Sequence, residues 1–178
     1  MRIDSPPILD LPGIALRPLE RIDLDAWYAY LSVPAVVEHT SWDLKSIDDL
    51  AAVYAFYELD SPQSARRLAI VDASTDALIG TIGFHTVSTV NRTAELAYDL
   101  APAYWGRGIA TAVCDAVTQW SYGAYGFLRV QATVLESNAR SARVLERCRF
   151  AYEGSLRAYR LVRGTPGTFR MYSRLATD

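Results

Sequence analysis

Gly13 to Leu19 is a short, mostly apolar run opened by glycine, which reads as a strand. Over Ile22 to Leu31 and Ser46 to Leu59 the apolar positions recur every three or four residues and predict helices, with Asp23 and Ser46 placed as N-terminal caps. Arg67 to Asp72, Leu78 to Val87 and Thr93 to Ala101 are strand-like, and turn residues at Ser74-Thr75-Asp76 and Val90-Asn91-Arg92 separate them, so an antiparallel meander is the simplest arrangement. The pattern then gives a helix over Gly108 to Tyr122, a strand over Phe127 to Leu135 and a helix over Asn138 to Cys148. Phe150 to Leu161 and Thr168 to Leu175 predict a closing hairpin that turns across Gly164-Thr165-Pro166-Gly167. The sum is an α+β fold: a mixed, mostly antiparallel twisted sheet flanked by helices, with one strand–helix–strand crossover. Neither a repeat nor a long linker divides the 178 residues, so a single domain is expected.

Charge narrows the function classes. The chain carries 18 basic and 20 acidic residues, spread along its length, for a net charge of -2. This is not the footprint of a nucleic-acid-binding arm or a polybasic membrane patch. Lys45 is the only lysine. Met1 to Pro12 lacks the apolar stretch of a secretory signal, and no run approaches the ~20 apolar residues that span a bilayer, so a soluble, cytoplasmic protein is expected. Cys114 and Cys148 lie in helix-like segments, without disulfide or CxxC spacing. His39 and His85 are too few and too far apart in sequence for a zinc centre, and no metal is expected.

The chemistry concentrates at Trp105-Gly106-Arg107-Gly108-Ile109-Ala110-Thr111, between a strand-like and a helix-like segment. Two glycines let the backbone approach a ligand, and a helix start offers unpaired N–H groups and the positive end of a dipole. An anion suits that position. A Walker loop is excluded, because it needs four residues between its glycines and then Lys-Ser/Thr, whereas one residue separates Gly106 from Gly108. A dinucleotide fingerprint fits poorly, since Thr111 replaces its third small residue and Phe127 to Leu135 contains no Asp or Glu. A tight turn without a ligand stays open on these residues alone.

The order of elements and two long motifs resemble the GNAT superfamily of N-acetyltransferases, in particular its branch of ribosomal-protein N-terminal acetyltransferases (RimJ/RimL type). Ala94-Glu-Leu-Ala-Tyr-Asp-Leu-Ala-Pro-Ala-Tyr-Trp-Gly-Arg-Gly-Ile-Ala-Thr resembles that branch's fourth strand and acetyl-CoA loop. Ser137-Asn-Ala-Arg-Ser-Ala-Arg-Val-Leu-Glu-Arg-Cys-Arg-Phe, followed by Glu153-Gly154, resembles its later helix and strand. The opening Ala15-Leu-Arg-Pro-Leu and Ile79-Gly-Thr-Ile-Gly-Phe extend the likeness to nearly the whole chain. Trp105 departs from the superfamily's Gln or Arg at the head of the loop, and Arg149 stands where relatives usually have glycine.

The resemblance implies acetyl-CoA as cosubstrate, its pyrophosphate held by backbone N–H groups from Gly106 to Thr111. Arg107 adds charge there, or else is a solvated loop residue, and Trp105 shapes the loop. It implies direct transfer to a primary amine: a protein N-terminal α-amine, or a small molecule such as an amino acid, polyamine or drug. A non-catalytic acyl-CoA-binding module is the alternative. The Leu100 N–H is expected to face the thioester carbonyl and stabilise the oxyanion. Glu95 is expected as the base, acting through water. It shares one strand face with Ala97 and Asp99, and its bland alternatives are an exposed carboxylate or an ion pair with Arg92. Leu145 stands where many relatives carry an acidic tyrosine, so Ser141 becomes the proposed acid, with Asn138 contacting pantetheine or a bound water. Without a ligand, Asn138 is simply a helix cap and Ser141 a first-turn residue. His85 reads better as a hydrogen-bonded structural residue, and Tyr98 as packing. Family members are often dimers, but no segment here states an interface.

Overall fold

The computed structural model describes residues 5–59, 61 and 64–178; the first four residues of the Met1–Pro12 segment lie outside these. Strand β1 (Ile14–Pro18) leads through one 3-10 turn into α1 (Leu24–Leu31), followed by α2 (Pro34–Val37) and α3 (Ile47–Glu58). The meander is β2 (Arg66–Asp72), β3 (Leu78–Ser88) and β4 (Thr93–Leu100). Then come α4 (Ile109–Tyr125), β5 (Arg129–Leu135), α5 (Ala139–Arg147) and the hairpin β6 (Ala151–Val162) and β7 (Thr165–Leu175).

One seven-stranded sheet results, in the order β1-β2-β3-β4-β5-β7-β6. Every neighbouring pair is antiparallel except β4 and β5, which α4 joins as a parallel crossover. Alternation along the strands gives the sheet two apolar faces. One packs Leu96 and Leu100 against Val113 and Val117 of α4 and Leu145 of α5. The other packs Ala69 and Val71 against Trp27 and Leu31 of α1 and Leu50 and Tyr54 of α3. Among the described residues no helix is long and apolar enough to cross a membrane.

Two local expectations are corrected. Asp23 does not cap α1: its backbone is already helical and it makes no side-chain cap bond. Its carboxylate instead accepts from the Glu20 N–H at 2.8 Å and from both Arg17 Nη atoms at 2.8 Å, so the helix is entered one turn early. Ser46, by contrast, does cap α3, in a reciprocal box with Asp49. The last hairpin turns at Arg163 and Gly164 alone, with Val162 paired to Thr165. Both turn residues have positive φ (48° and 81°), as a two-residue hairpin requires, and Pro166 and Gly167 belong to the strand.

After α5, Arg149 occupies the left-handed position at φ 62°. Its N–H bonds the Glu146 carbonyl and the Phe150 N–H bonds the Leu145 carbonyl, both at 3.0 Å, a turn that favours glycine. Arg149→Gly is therefore expected to raise stability by about 1 kcal/mol. A urea titration checks this, and an unchanged midpoint would show that the left-handed turn carries no penalty.

Candidate active site

The site originates where β4 leaves β5. Pairing between them covers only Thr93–Glu95 and Arg129–Gln131; beyond Glu95 the ladder stops and the strands part. The Ala101 N–H bonds Ile79 in β3, so by alternation the Leu100 N–H and C=O point away from β3, into the opening. The Leu100 carbonyl there accepts the Trp105 indole N–H at 2.8 Å. Trp105 thus anchors the loop, and the Arg140 guanidinium lies over its ring at 5.0 Å.

Gly106 and Gly108 take φ of 74° and 78°, and Gly108 starts α4 without any side-chain cap. The intrahelical ladder begins with Ala112 N–H to Gly108 C=O at 3.1 Å, so the preceding N–H groups of Ile109, Ala110 and Thr111 are unpaired donors of the helix start. They border a cleft of about 560 Å³, whose far wall on α5 carries Arg140, Arg143 and Arg147. These three are spaced to share one helical face. The donor set fits the pyrophosphate of acetyl-CoA in charge and kind. Arg107 stands apart: it is exposed, stacks over Tyr104 at 5.1 Å and does not line the cleft.

A second cavity, of about 440 Å³, opens on the α3 side and is lined by Trp42, Tyr57, Arg67, His85, Thr133 and Arg160, among others. His39, Thr40, Tyr98, Asn138 and Ser141 line both cavities, so the two meet there. Asn138 caps α5, accepting the Ser141 N–H at 3.1 Å, while its amide donates to the His39 carbonyl at 3.3 Å. The cap and the site are the same residue. The Tyr98 hydroxyl donates to the Ser141 carbonyl at 3.3 Å, and burial pushes its phenol well above its ordinary value. Leu145 is fully buried and lines the second cavity.

Glu95 is 3% exposed and is neither a surface carboxylate nor a partner of Arg92, which bonds the Gly126 carbonyl. Its Oε1 accepts from Thr133 Oγ1 at 2.6 Å and Arg160 Nη2 at 2.9 Å, and lies 3.4 Å from His85 Nε2. Oε2 has no hydrogen-bond partner among the described residues. Burial pushes the carboxyl up, but hydrogen bonds from His85 and Thr133 and the charges of His85 and Arg160 outweigh it and hold the pKa at about 2. On the same face Asp99 accepts from Arg67, Tyr30 and Thr81 and is fully engaged. His85 is hydrogen-bonded, its Nδ1 3.1 Å from Thr86 Oγ1, and it also lines the second cavity beside Glu95.

The residues with this arrangement match a model of the acetyltransferase (GNAT) domain over residues 14–151. The chain belongs to the GNAT acetyltransferase family. It is 32% identical to the uncharacterized N-acetyltransferase YoaA of Bacillus subtilis (strain 168), across 94% of this chain and 96% of that protein. It is 25% identical to the spermidine N(1)-acetyltransferase of Vibrio cholerae, across 80% and 82%. The crystal structure of spermidine N-acetyltransferase from Vibrio cholerae with CoA and spermine shares the fold, at a TM-score of 0.82 and 23% identity over 94% of this chain and 98% of that one. This GNAT protein is an N-acetyltransferase that uses acetyl-CoA. Among the described residues no cluster of metal-ligating side chains occurs.

The sequence did not signal several of the groups that shape the GNAT site. Arg140, Arg143 and Arg147 went unassigned, although their three- and four-residue spacing beside Asn138 is a signal that could have found them. Arg160 carried no such signal, because nothing in local spacing ties it to a glutamate 65 residues away.

Proposed function

We propose that this N-acetyltransferase moves acetyl directly from acetyl-CoA to the primary amine of a small molecule held in the 440 Å³ cavity. The supporting observation is that an anion-binding cleft and a separate small cavity meet at Tyr98, Asn138 and Ser141. The chain beside the cavity is braced: Arg163, at the β6–β7 turn, donates to the carbonyls of Val37 (3.1 Å), Glu38 (2.8 Å) and Thr40 (3.3 Å), of which Thr40 lines the cavity. A compact acceptor suits a cavity of this volume better than a polypeptide chain.

In this reading Gly106, Gly108, Ile109, Ala110 and Thr111 hold the pyrophosphate, with Trp105 fixing the loop, and the arginines of α5 add positive charge. The Leu100 N–H stabilises the oxyanion in the opening between β4 and β5. Glu95, through water on its free Oε2, receives the acceptor amine. Ser141, supported by Asn138, protonates the departing thiolate, which with an ordinary thiol pKa near ~8.5 needs little help.

Thiol release from acetyl-CoA against small amines, amino acids, polyamines and N-terminal peptides tests the proposal. Turnover of small amines in preference to peptides is expected. Turnover of peptides alone would move the acceptor to a protein N-terminus, as the RimJ/RimL resemblance implies. CoA binding with no turnover would favour the non-catalytic module. Gly108→Val forces a β-branched residue into left-handed backbone at the pyrophosphate contact. Calorimetry is expected to show CoA affinity reduced at least about tenfold, the loss of one contact of ~1.4 kcal/mol; an unchanged affinity would place CoA elsewhere.

A further inference from the structure

We propose that the acceptor carries a carboxylate close to its amine, on an apolar body, and that Arg160 is the residue that reads it. This deepens the acetyltransferase proposal and rests on it. The basic side chains lining the acceptor cavity are Arg67, Arg160, His39 and His85, and among the described residues no Asp or Glu lines it. Both carboxylates carried on this face of β4 are already engaged, Asp99 by Arg67 and Glu95 by Arg160. A polycation such as a polyamine would be stripped of water beside arginines, with only the second carboxylate oxygen of Glu95, among the described residues, to meet its several charges.

Arg160 is built to take an anion. One N–H, on Nη2, bonds Glu95 Oε1 at 2.9 Å, and among the described residues its Nη1 and Nε groups make no hydrogen bond. The side chain is 32% exposed, and the rings of Tyr159 (4.9 Å) and Phe169 (5.8 Å) fix the guanidinium plane. A planar guanidinium with unused N–H groups matches the two oxygens of a carboxylate. Because Arg160 touches Glu95, a carboxylate held by Arg160 would lie next to the proposed base, which suits an acceptor whose carboxylate and amine are neighbours, as in an α-amino acid. Trp42, Val53, Tyr57 and Phe169 supply apolar surface for the rest of the acceptor.

The test compares kcat/KM for leucine and phenylalanine with that for their carboxamides and for spermidine, in the wild type, Arg160→Gln and Arg160→Lys. The acid is expected to exceed the amide by about 10- to 100-fold in the wild type. That ratio should collapse toward one in Arg160→Gln and survive in part in Arg160→Lys. A wild-type ratio at or below one, or a preference for spermidine, overturns the proposal. Calorimetry of the same acid and amide pairs with the CoA-loaded protein reads the preference without turnover. Selective binding of the acid without acetyl transfer would leave the carboxylate site standing while removing the transferase reading; equal binding of acid and amide would remove the site itself.

Discussion

Asp99→Ala is expected to destabilise the protein by about 3–5 kcal/mol, because it strands a buried charge. Asp99 accepts from Arg67, from the Tyr30 hydroxyl and from Thr81 at 2.9 Å, and Arg67 Nε in turn donates to Thr81 at 2.6 Å. All four groups are buried, and Arg67 also lies over the Trp27 ring at 5.2 Å. Burial pulls the Arg67 guanidinium down, but the Asp99 charge holds it above its usual value. Arginine cannot shed its proton to escape, so without Asp99 a full charge stays against an aromatic core. The Tyr30 phenol, raised well above its ordinary value first by burial and then by the Asp99 charge, loses its acceptor as well. Asp99→Asn keeps an acceptor for Tyr30 and is expected to cost less. Replacing both Asp99 and Arg67 by leucine should cost less than Asp99→Ala alone, since no unpaired charge then remains. Urea midpoints at neutral pH measure all three, and a loss below 1 kcal/mol for Asp99→Ala would show that water reaches Arg67.

What the sequence made legible follows from the reach of each physical rule. Periodicity and capping act over a few residues, so the seven strands, the long helices and the Ser46 cap could be read directly. The glycine turn was legible for the same reason, as was the shared face of Glu95 and Asp99. The end of β4–β5 pairing at Glu95 was not, because it depends on how two strands separated by a helix diverge. Asp23 misled because an acidic residue three positions into a 3-10 turn carries the same local signature as a cap. The closing turn misled because proline and glycine dominate turn statistics, whereas Arg163-Gly164 supplies the needed backbone and leaves Pro166 in the outer hairpin. Arg160 lies beyond an irregularity of β6 between Leu156 and Arg160, where Ala158 takes φ 51°, and its meeting with Glu95 is a property of the folded sheet.

Glu95→Gln is expected to lower kcat by about 10²- to 10⁴-fold, the range of a lost general base, while leaving acetyl-CoA affinity close to that of the wild type. In the proposed mechanism the size of the effect comes from Oε2, which has no hydrogen-bond partner among the described residues and would take the water that carries the amine's proton. A carboxylate held at about 2 is ionised at working pH, so in this proposal it orients the water and does not store the proton. The wild-type profile of kcat/KM should therefore rise with pH as the acceptor ammonium titrates and show no inflection near 4 to 5. Glu95→Gln should keep that rise at a lower level. A wild-type inflection in that region, or a loss below tenfold, would remove Glu95 from the proton path. The same shift has a stability consequence with a definite sign. The folded value of about 2 lies below the ordinary 4.5, so folding favours the ionised form. The stabilisation is then complete above 4.5 and is lost as pH falls from 4.5 through 2. Glu153, also held at about 2 by hydrogen bonds from Arg129 and Ser173, loses its contribution in the same window in both proteins. The difference between them isolates Glu95: urea midpoints at pH 5 and pH 3 should fall further for the wild type than for Glu95→Gln. Equal falls would mean that Arg160, His85 and Thr133 do not hold the carboxylate ionised in the folded state.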